Sequence, residues 1–164
     1  MRNETWELSP LPVGRKAIGC RQLFKLKEDG RYKARLVAKG YSQQAGLEYT
    51  ETLAPVAKFT SLHSLLALVG ENDWELEGMD IKTVFLQSEL EETVFMEIPE
   101  RLHMDMPLSN SQKEDPLVCH LNKAIYGLKQ SPRTWYGKIN KFFLTMDSSG
   151  VNTITTSIFI QFLN

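Results

Sequence analysis

The chain has 164 residues, 42% of them hydrophobic and 24% charged, with a formal net charge of −1. That balance fits one globular domain or a piece of a larger protein, and it excludes a disordered chain. Two cysteines and three histidines without ligand spacing exclude a disulfide framework and a zinc cluster. No run approaches the ~20 apolar residues of a membrane span, and MRNETWELSP lacks the apolar centre of a signal peptide, so a soluble, intracellular chain with reduced thiols is expected.

The first clear unit is a hairpin from Ile18 to Ala38, whose arms IGCRQLFKLK and RYKARLVA meet at Glu28-Asp29-Gly30. Strand alternation puts Lys33, Arg35 and Val37 on one face and Tyr32, Ala34, Leu36 and Ala38 on the other. The cationic face either reaches toward phosphate or is solvated, while the apolar face packs on the domain. Thr60–Gly70 (TSLHSLLALVG) spaces Leu62, Leu65, Leu66 and Val69 as a core helix, with Thr60 or Ser61 as its cap and Gly70 as its stop. Trp74–Phe85 reads as a strand running into a turn, Thr93–Pro99 and Leu117–Leu121 as strands, and Arg101–Pro116 as a loop.

Ser131 followed by Pro132 signals a helix start, a side-chain cap and then a proline at the first helical position. Trp135, Ile139, Phe142, Phe143 and Met146 then share one helix face. Before that helix, Gly127 permits close backbone approach to a ligand and Lys129 lies beside the helix N-terminus, a weak anion-site signal or a plain loop–helix junction.

Charge is unevenly spread. Arg15–Lys39 carries nine Lys/Arg against two acids, Glu71–Asp115 thirteen acids against three bases, and Leu121–Lys141 five bases and no acid. Such a layout gives either two phosphate-binding flanks around an acidic centre or the solvated faces of ordinary elements. Within the acidic part, GMDIKTVFLQSELEE sets Asp80 among apolar residues, where a buried charge is costly: either Asp80 is a surface residue or it holds something positive.

The segments WELSPLPVGRKAIGC, RYKARLVAKGYSQ, EYTETLAPVAKFTS, NDWELEGMDIKTVFLQSELEE and LNKAIYGLKQSPRTWY, in that order and spacing, resemble the reverse transcriptases of Ty1/copia-type LTR retrotransposons. The resemblance treats residues 1–164 as one partial domain, best matched over 6–143 and weakly over 144–164, where IFIQF looks like a poorer match to a further strand. It implies an α+β fold: the fingers–palm portion of a polymerase, an antiparallel sheet with helices packed on one face, and an incomplete palm.

By the same resemblance, Asp80 is a catalytic carboxylate and a ligand of two Mg²⁺ ions that activate the primer 3′-hydroxyl and neutralise the departing pyrophosphate. Phe85 is the aromatic that rejects a 2′-hydroxyl, the Thr83–Val84 backbone faces the triphosphate, and Lys33 and Arg35 are its cations. Tyr126, Gly127 and Lys129 contact the incoming nucleotide and template base. The implied partners are an RNA or DNA template–primer, deoxynucleoside triphosphates and the rest of a pol polyprotein, with no membrane. The implied location is the cytoplasm, in a virus-like particle, or the nucleus, without secretion.

The chain departs from the family pattern in several places. Gln22 stands where Trp is usual, Val84 replaces Ala, Gln87-Ser88 replaces Asn-Gly, and the hairpin is shorter. No Asp-Asp pair occurs in the 164 residues, whereas the family uses a Tyr-x-Asp-Asp hairpin. The family's thumb, RNase H domain and integrase are not expected within these 164 residues either. The expectation is a fragment of an RNA-directed DNA polymerase, inactive alone; the alternative is a non-catalytic, domesticated or degenerate remnant with weak nucleic-acid binding.

Overall fold

Two antiparallel sheets organise the described residues. The computed structural model describes residues 3–56, 58–75, 81–100, 102 and 117–148. Among them are strands β1 (Trp6–Pro10), β2 (Cys20–Leu26), β3 (Tyr32–Ala38), β4 (Phe95–Met96) and β5 (Leu117–Leu121), and helices α1 (Phe59–Glu71) and α2 (Ser131–Ser148). Short 3-10 helices occupy Gly40–Ser42 and Val84–Gln87. The mixture of helices and antiparallel sheets is α+β.

One sheet has the order β1-β5-β4, with Trp6 opposite Leu121 and Met96 opposite Cys119. Because β5 is its central strand, Val118, Cys119 and Leu121 are all buried, which explains the nearly unbroken apolar run LVCHL. The other sheet is the hairpin β2-β3. Its turn follows from Gly30, whose φ of +77° suits the left-handed region; the Gly30 N–H donates to the Lys27 carbonyl at 3.0 Å. Asp29 accepts from the Arg31 N–H at 3.1 Å and from its guanidinium, contacts that hold the carboxyl below its usual range.

The hairpin is fastened to the first sheet at its base. Ile18 N–H donates to the Phe95 carbonyl at 2.8 Å, and the Glu97 N–H donates to the Ile18 carbonyl at 2.9 Å. Ile18, Ala38, Val94, Met96, Cys119, Leu121, Ile125 and Leu128 then form the main core, with Cys20 and Leu36 packed against it. The apolar hairpin face packs on the domain only there. Toward the tip Phe24, Leu26 and Tyr32 are 55%, 58% and 83% exposed, since the strands extend past the sheet that covers their base.

Several expectations need correction. α1 is present, but none of its residues is buried, so it is not a core helix among the described residues. It starts one residue before Thr60, after Lys58 and without a side-chain cap, and it runs through Gly70 to close at Asn72. The backbone there continues its helical bonds, with Asn72 N–H donating to the Leu68 carbonyl at 3.1 Å; glycine weakens a helix without obliging it to stop. Ser131 does not act as the side-chain cap of α2: its hydroxyl donates back to the Ile125 carbonyl at 2.6 Å, and the Gln130 carbonyl accepts the first helical bond, from Thr134 N–H at 3.0 Å. Trp74 is tied to the end of α1 by a bond to the Val69 carbonyl rather than opening a strand. Leu76–Asp80, the rest of that anticipated strand, lies outside the described residues, as does most of the loop 101–116. Of Thr93–Pro99, only Phe95 and Met96 pair regularly with β5.

The cysteines sit in and beside the core. Burial pushes the Cys119 thiol up to about 11, and burial followed by the Glu97 charge raises Cys20, whose thiol donates to the Glu97 carbonyl at 3.6 Å. At pH 8 a thiol of that pKa is about one-thousandth thiolate, so iodoacetamide should label Cys119 only after unfolding, and Cys20 first. Both thiols deprotonate more readily unfolded, so stability should fall as pH rises from the ordinary thiol value of 9.0 through about 11. Peptide mass analysis of labelled cysteines and a pH series of urea midpoints check the two statements.

Gly137 lies inside α2, and a methyl group added there would meet nothing within 4 Å. Gly137→Ala should therefore stabilise the chain by about 0.5–1 kcal/mol through helix propensity, read as a higher urea midpoint.

Candidate functional site

The segment after the undescribed Asp80 is a tight turn. Thr83 adopts a φ of +52°, a left-handed conformation that a β-branched residue rarely takes, and its hydroxyl donates to the Lys82 carbonyl at 2.7 Å. The 3-10 helix that follows buries Val84 and Phe85, while bonds from Leu86 N–H to the Thr83 carbonyl and from Ser88 N–H to the Phe85 carbonyl close it. A pair of backbone bonds then joins this turn to the segment after β5: Ala124 N–H to Ser88 and Leu90 N–H to Asn122, at 2.9 and 3.0 Å. From α2, the Lys138 ammonium donates to the Gln87 carbonyl.

This seat brings distant residues together. Val84, Phe85 and Ala124 form a second buried cluster, with Ile81, Leu90, Tyr126 and Trp135 packed against it. The Phe85 and Tyr126 rings meet edge to face, 4.8 Å between centroids at 74°, a geometry worth about 0.5–1.5 kcal/mol beyond burial. The Arg35 guanidinium lies 5.5 Å from the Tyr126 ring centre, within cation–π range. Arg35 comes from β3, Phe85 from the 3-10 turn and Tyr126 from the loop before α2.

Gly127 fits where nothing larger would. Its φ is +92°, and an added Cβ would overlap the Ala38 carbonyl oxygen and lie 2.8 Å from Val37 Cγ1. Ala38 N–H donates to the Tyr126 carbonyl at 2.7 Å, so the hairpin base and this loop are in direct backbone contact. Lys129 has a partner of its own within the chain. Its ammonium donates to the Tyr49 hydroxyl at 3.0 Å and lies 4.6 Å from that ring's centre.

Sequence reasoning singled out Lys33 and Arg35 but passed over their partners across the hairpin. The register sets Lys25 opposite Lys33 and Arg21 opposite Val37, so four cations share that face. Like charges directly opposite destabilise a hairpin, and a bound polyanion would relieve this. Alternation in the first arm was a readable signal for it. A cavity of about 420 Å³ elsewhere is lined by Glu4, Glu89, Glu91 and Glu92 beside His120 and Lys123. Its acids make it a poor seat for phosphate.

Comparison with known proteins agrees with the quoted motifs. The model of the family described as reverse transcriptase (RNA-dependent DNA polymerase) matches residues 3–163. The chain is 43% identical over 146 residues, 86% of its length, to the retrovirus-related Pol polyprotein from transposon TNT 1-94 of Nicotiana tabacum. It is 42% identical over 165 residues, 96% of its length, to that from transposon RE2 of Arabidopsis thaliana, and 42% identical over 166 residues to that from transposon RE1. It spans only 10% of the first and 11% of the other two. No solved structure matches. Among the described residues no helix is long and apolar enough to cross a membrane. The chain belongs to the reverse transcriptase family, as the domain found in retrotransposon Pol polyproteins.

Proposed function

We propose that the chain is the fingers and palm portion of a nucleotidyl-transfer site, binding an RNA or DNA template–primer and a deoxynucleoside triphosphate. The observation that carries the reading is the Arg35–Tyr126–Phe85 stack, assembled from three segments that the family motifs mark separately. Lys33 and Arg35 would hold the triphosphate, joined by Arg21 and Lys25 along the same face. The Thr83–Val84 backbone would border the triphosphate, and the loop from Tyr126 through Gly127 to Lys129 the nucleotide and template base. Phe85, pinned by Tyr126 and only 4% exposed, would reject a 2′-hydroxyl through a ring edge that cannot swing aside.

Asp80 is the residue that would hold Mg²⁺, since its carboxylate is the hard oxygen donor that this ion takes. Among the described residues no group of three or more carboxylate, imidazole or thiol side chains could hold a metal ion. The ions, when bound, would neutralise charge on the transferring phosphoryl group. One carboxylate is too few for a pair of ions, and with no Asp-Asp pair in the 164 residues the chain would catalyse nothing without further carboxylates from another polypeptide segment.

Binding of a labelled primer–template, followed by fluorescence anisotropy, tests the interface. Affinity should fall steeply with salt, and Arg35→Gln or Lys33→Gln should each lower the slope of log K against log salt by about 0.7–0.9. Salt-independent binding, or none at all, would defeat the reading.

A further inference from the structure

Residues 43–48 and 129–130 are joined by a buried hydrogen-bond relay. Gln43 and Gln130 are both buried, 6% and 0% exposed, and their amides form a relay with the main chain. Lys129 N–H donates to Gln43 Oε1 at 2.9 Å, Gln43 Nε2 donates to Gln130 Oε1 at 3.1 Å, and Gln130 Nε2 donates to the Glu48 carbonyl at 2.8 Å. Glu48 is 4% exposed, and its carboxylate accepts from Gln44 N–H at 2.7 Å, which closes the turn carrying Gln43. Each amide end that points into the interior thus has a partner, as buried amides require.

The strap from Gly40 to Tyr49 follows directly on β3, the strand of Arg35, and the gripped loop is the one that carries Tyr126. Close packing reinforces the relay: a Cβ on Gly40 would overlap the Gly127 carbonyl oxygen and lie 3.0 Å from Gln43 Oε1. The Tyr49–Lys129 contact and an Arg133–Glu51 ion pair at 3.4 Å continue the same seam outward. The Lys129–Gln43, Gln43–Gln130 and Gln130–Glu48 bonds each join the strap that follows β3 to the loop that follows Tyr126.

We infer that Gln43 and Gln130 are positioning residues: their buried amide relay clamps the loop of Tyr126 to the end of β3 and so sets the spacing of Arg35, Tyr126 and Phe85. A pair of apolar side chains would fill the same space without direction. The amides favour one register between strap and loop, because the three bonds are made together only in that arrangement. In functional terms this rests on the nucleotide-site reading above, and concerns how well that site is preorganised for a polyphosphate.

The test uses the full 164-residue chain and the near-isosteric variants Gln43→Met and Gln130→Met. Amide hydrogen exchange reads the clamp without any ligand. Exchange at Ala38, whose N–H donates to Tyr126, and at Lys129 should accelerate about tenfold or more, while β1–β5 amides stay as protected as before. Uniform acceleration throughout, or no change at Ala38, would overturn the inference. In parallel, affinity for a short single-stranded oligodeoxynucleotide should weaken about tenfold in Gln130→Met, and Gln130→Met should add little in an Arg35→Ala background. Additive losses, or unchanged affinity beside accelerated Ala38 exchange, would overturn the positioning role. If the unaltered chain binds no oligonucleotide, the nucleotide-site reading fails, and the exchange measurement still decides whether the clamp exists. Should both Met variants unfold, Gln43→Glu, which keeps the acceptor for Lys129 N–H and loses the donor to Gln130, supplies the same comparison.

Discussion

Gly127→Ala is expected to remove about 3–5 kcal/mol of stability, a large share of the ~5–15 kcal/mol that holds an ordinary domain folded. Two independent costs act at this residue. A side chain at φ +92° is strained wherever it occurs, and here its Cβ would also overlap the Ala38 carbonyl oxygen. Backbone cannot move aside as a flexible side chain does, because Ala38 also donates to Tyr126. Urea unfolding followed by tryptophan fluorescence checks the value against Gly137→Ala, where the same chemical change should act with the opposite sign. A loss below about 1 kcal/mol would mean that the loop and hairpin base separate at little cost, contrary to the packing described.

How much of this was legible depended on the range of the forces involved. The β2-β3 hairpin was readable because Asp29-Gly30 encodes its own turn and alternation encodes its faces. β5 was readable from LVCHL, and α2 from Pro132 and the spacing of Trp135, Ile139 and Phe143. Local rules failed where neighbours in space decide. The leucines of α1 have helical spacing, but burial is decided by what covers them, and spacing carries no information about that. The Ser131 hydroxyl was read as a cap from its type, whereas a nearby carbonyl captured it.

The candidate site divides in the same way. Arg35, Phe85 and Tyr126 could each be picked from motifs resembling the Ty1/copia family, and the fold brings the three into contact. Lys129 was picked too, and its ammonium is held by Tyr49, a partner 80 residues away that no local pattern announces. The same is true of Gln43 and Gln130, 87 residues apart, since a glutamine in a polar loop looks like any solvated side chain. The left-handed Thr83 was equally invisible, because Thr-Val-Phe reads as strand by propensity. Asp80 rests on the motif alone, outside the described residues.

The most direct measurement of the central claim is primer extension by the purified 164-residue chain, with template–primer, Mg²⁺ and deoxynucleotides, beside a binding assay on the same sample. On the proposed reading, with Asp80 the one catalytic carboxylate in these residues, the chain should bind the template–primer in a salt-sensitive way and extend it no faster than background. Asp80→Asn should leave binding unchanged or slightly tighter, because it removes a charge that repels phosphate. Template-dependent incorporation that disappears in Asp80→Asn would contradict the account, showing that this chain already holds a complete set of metal ligands.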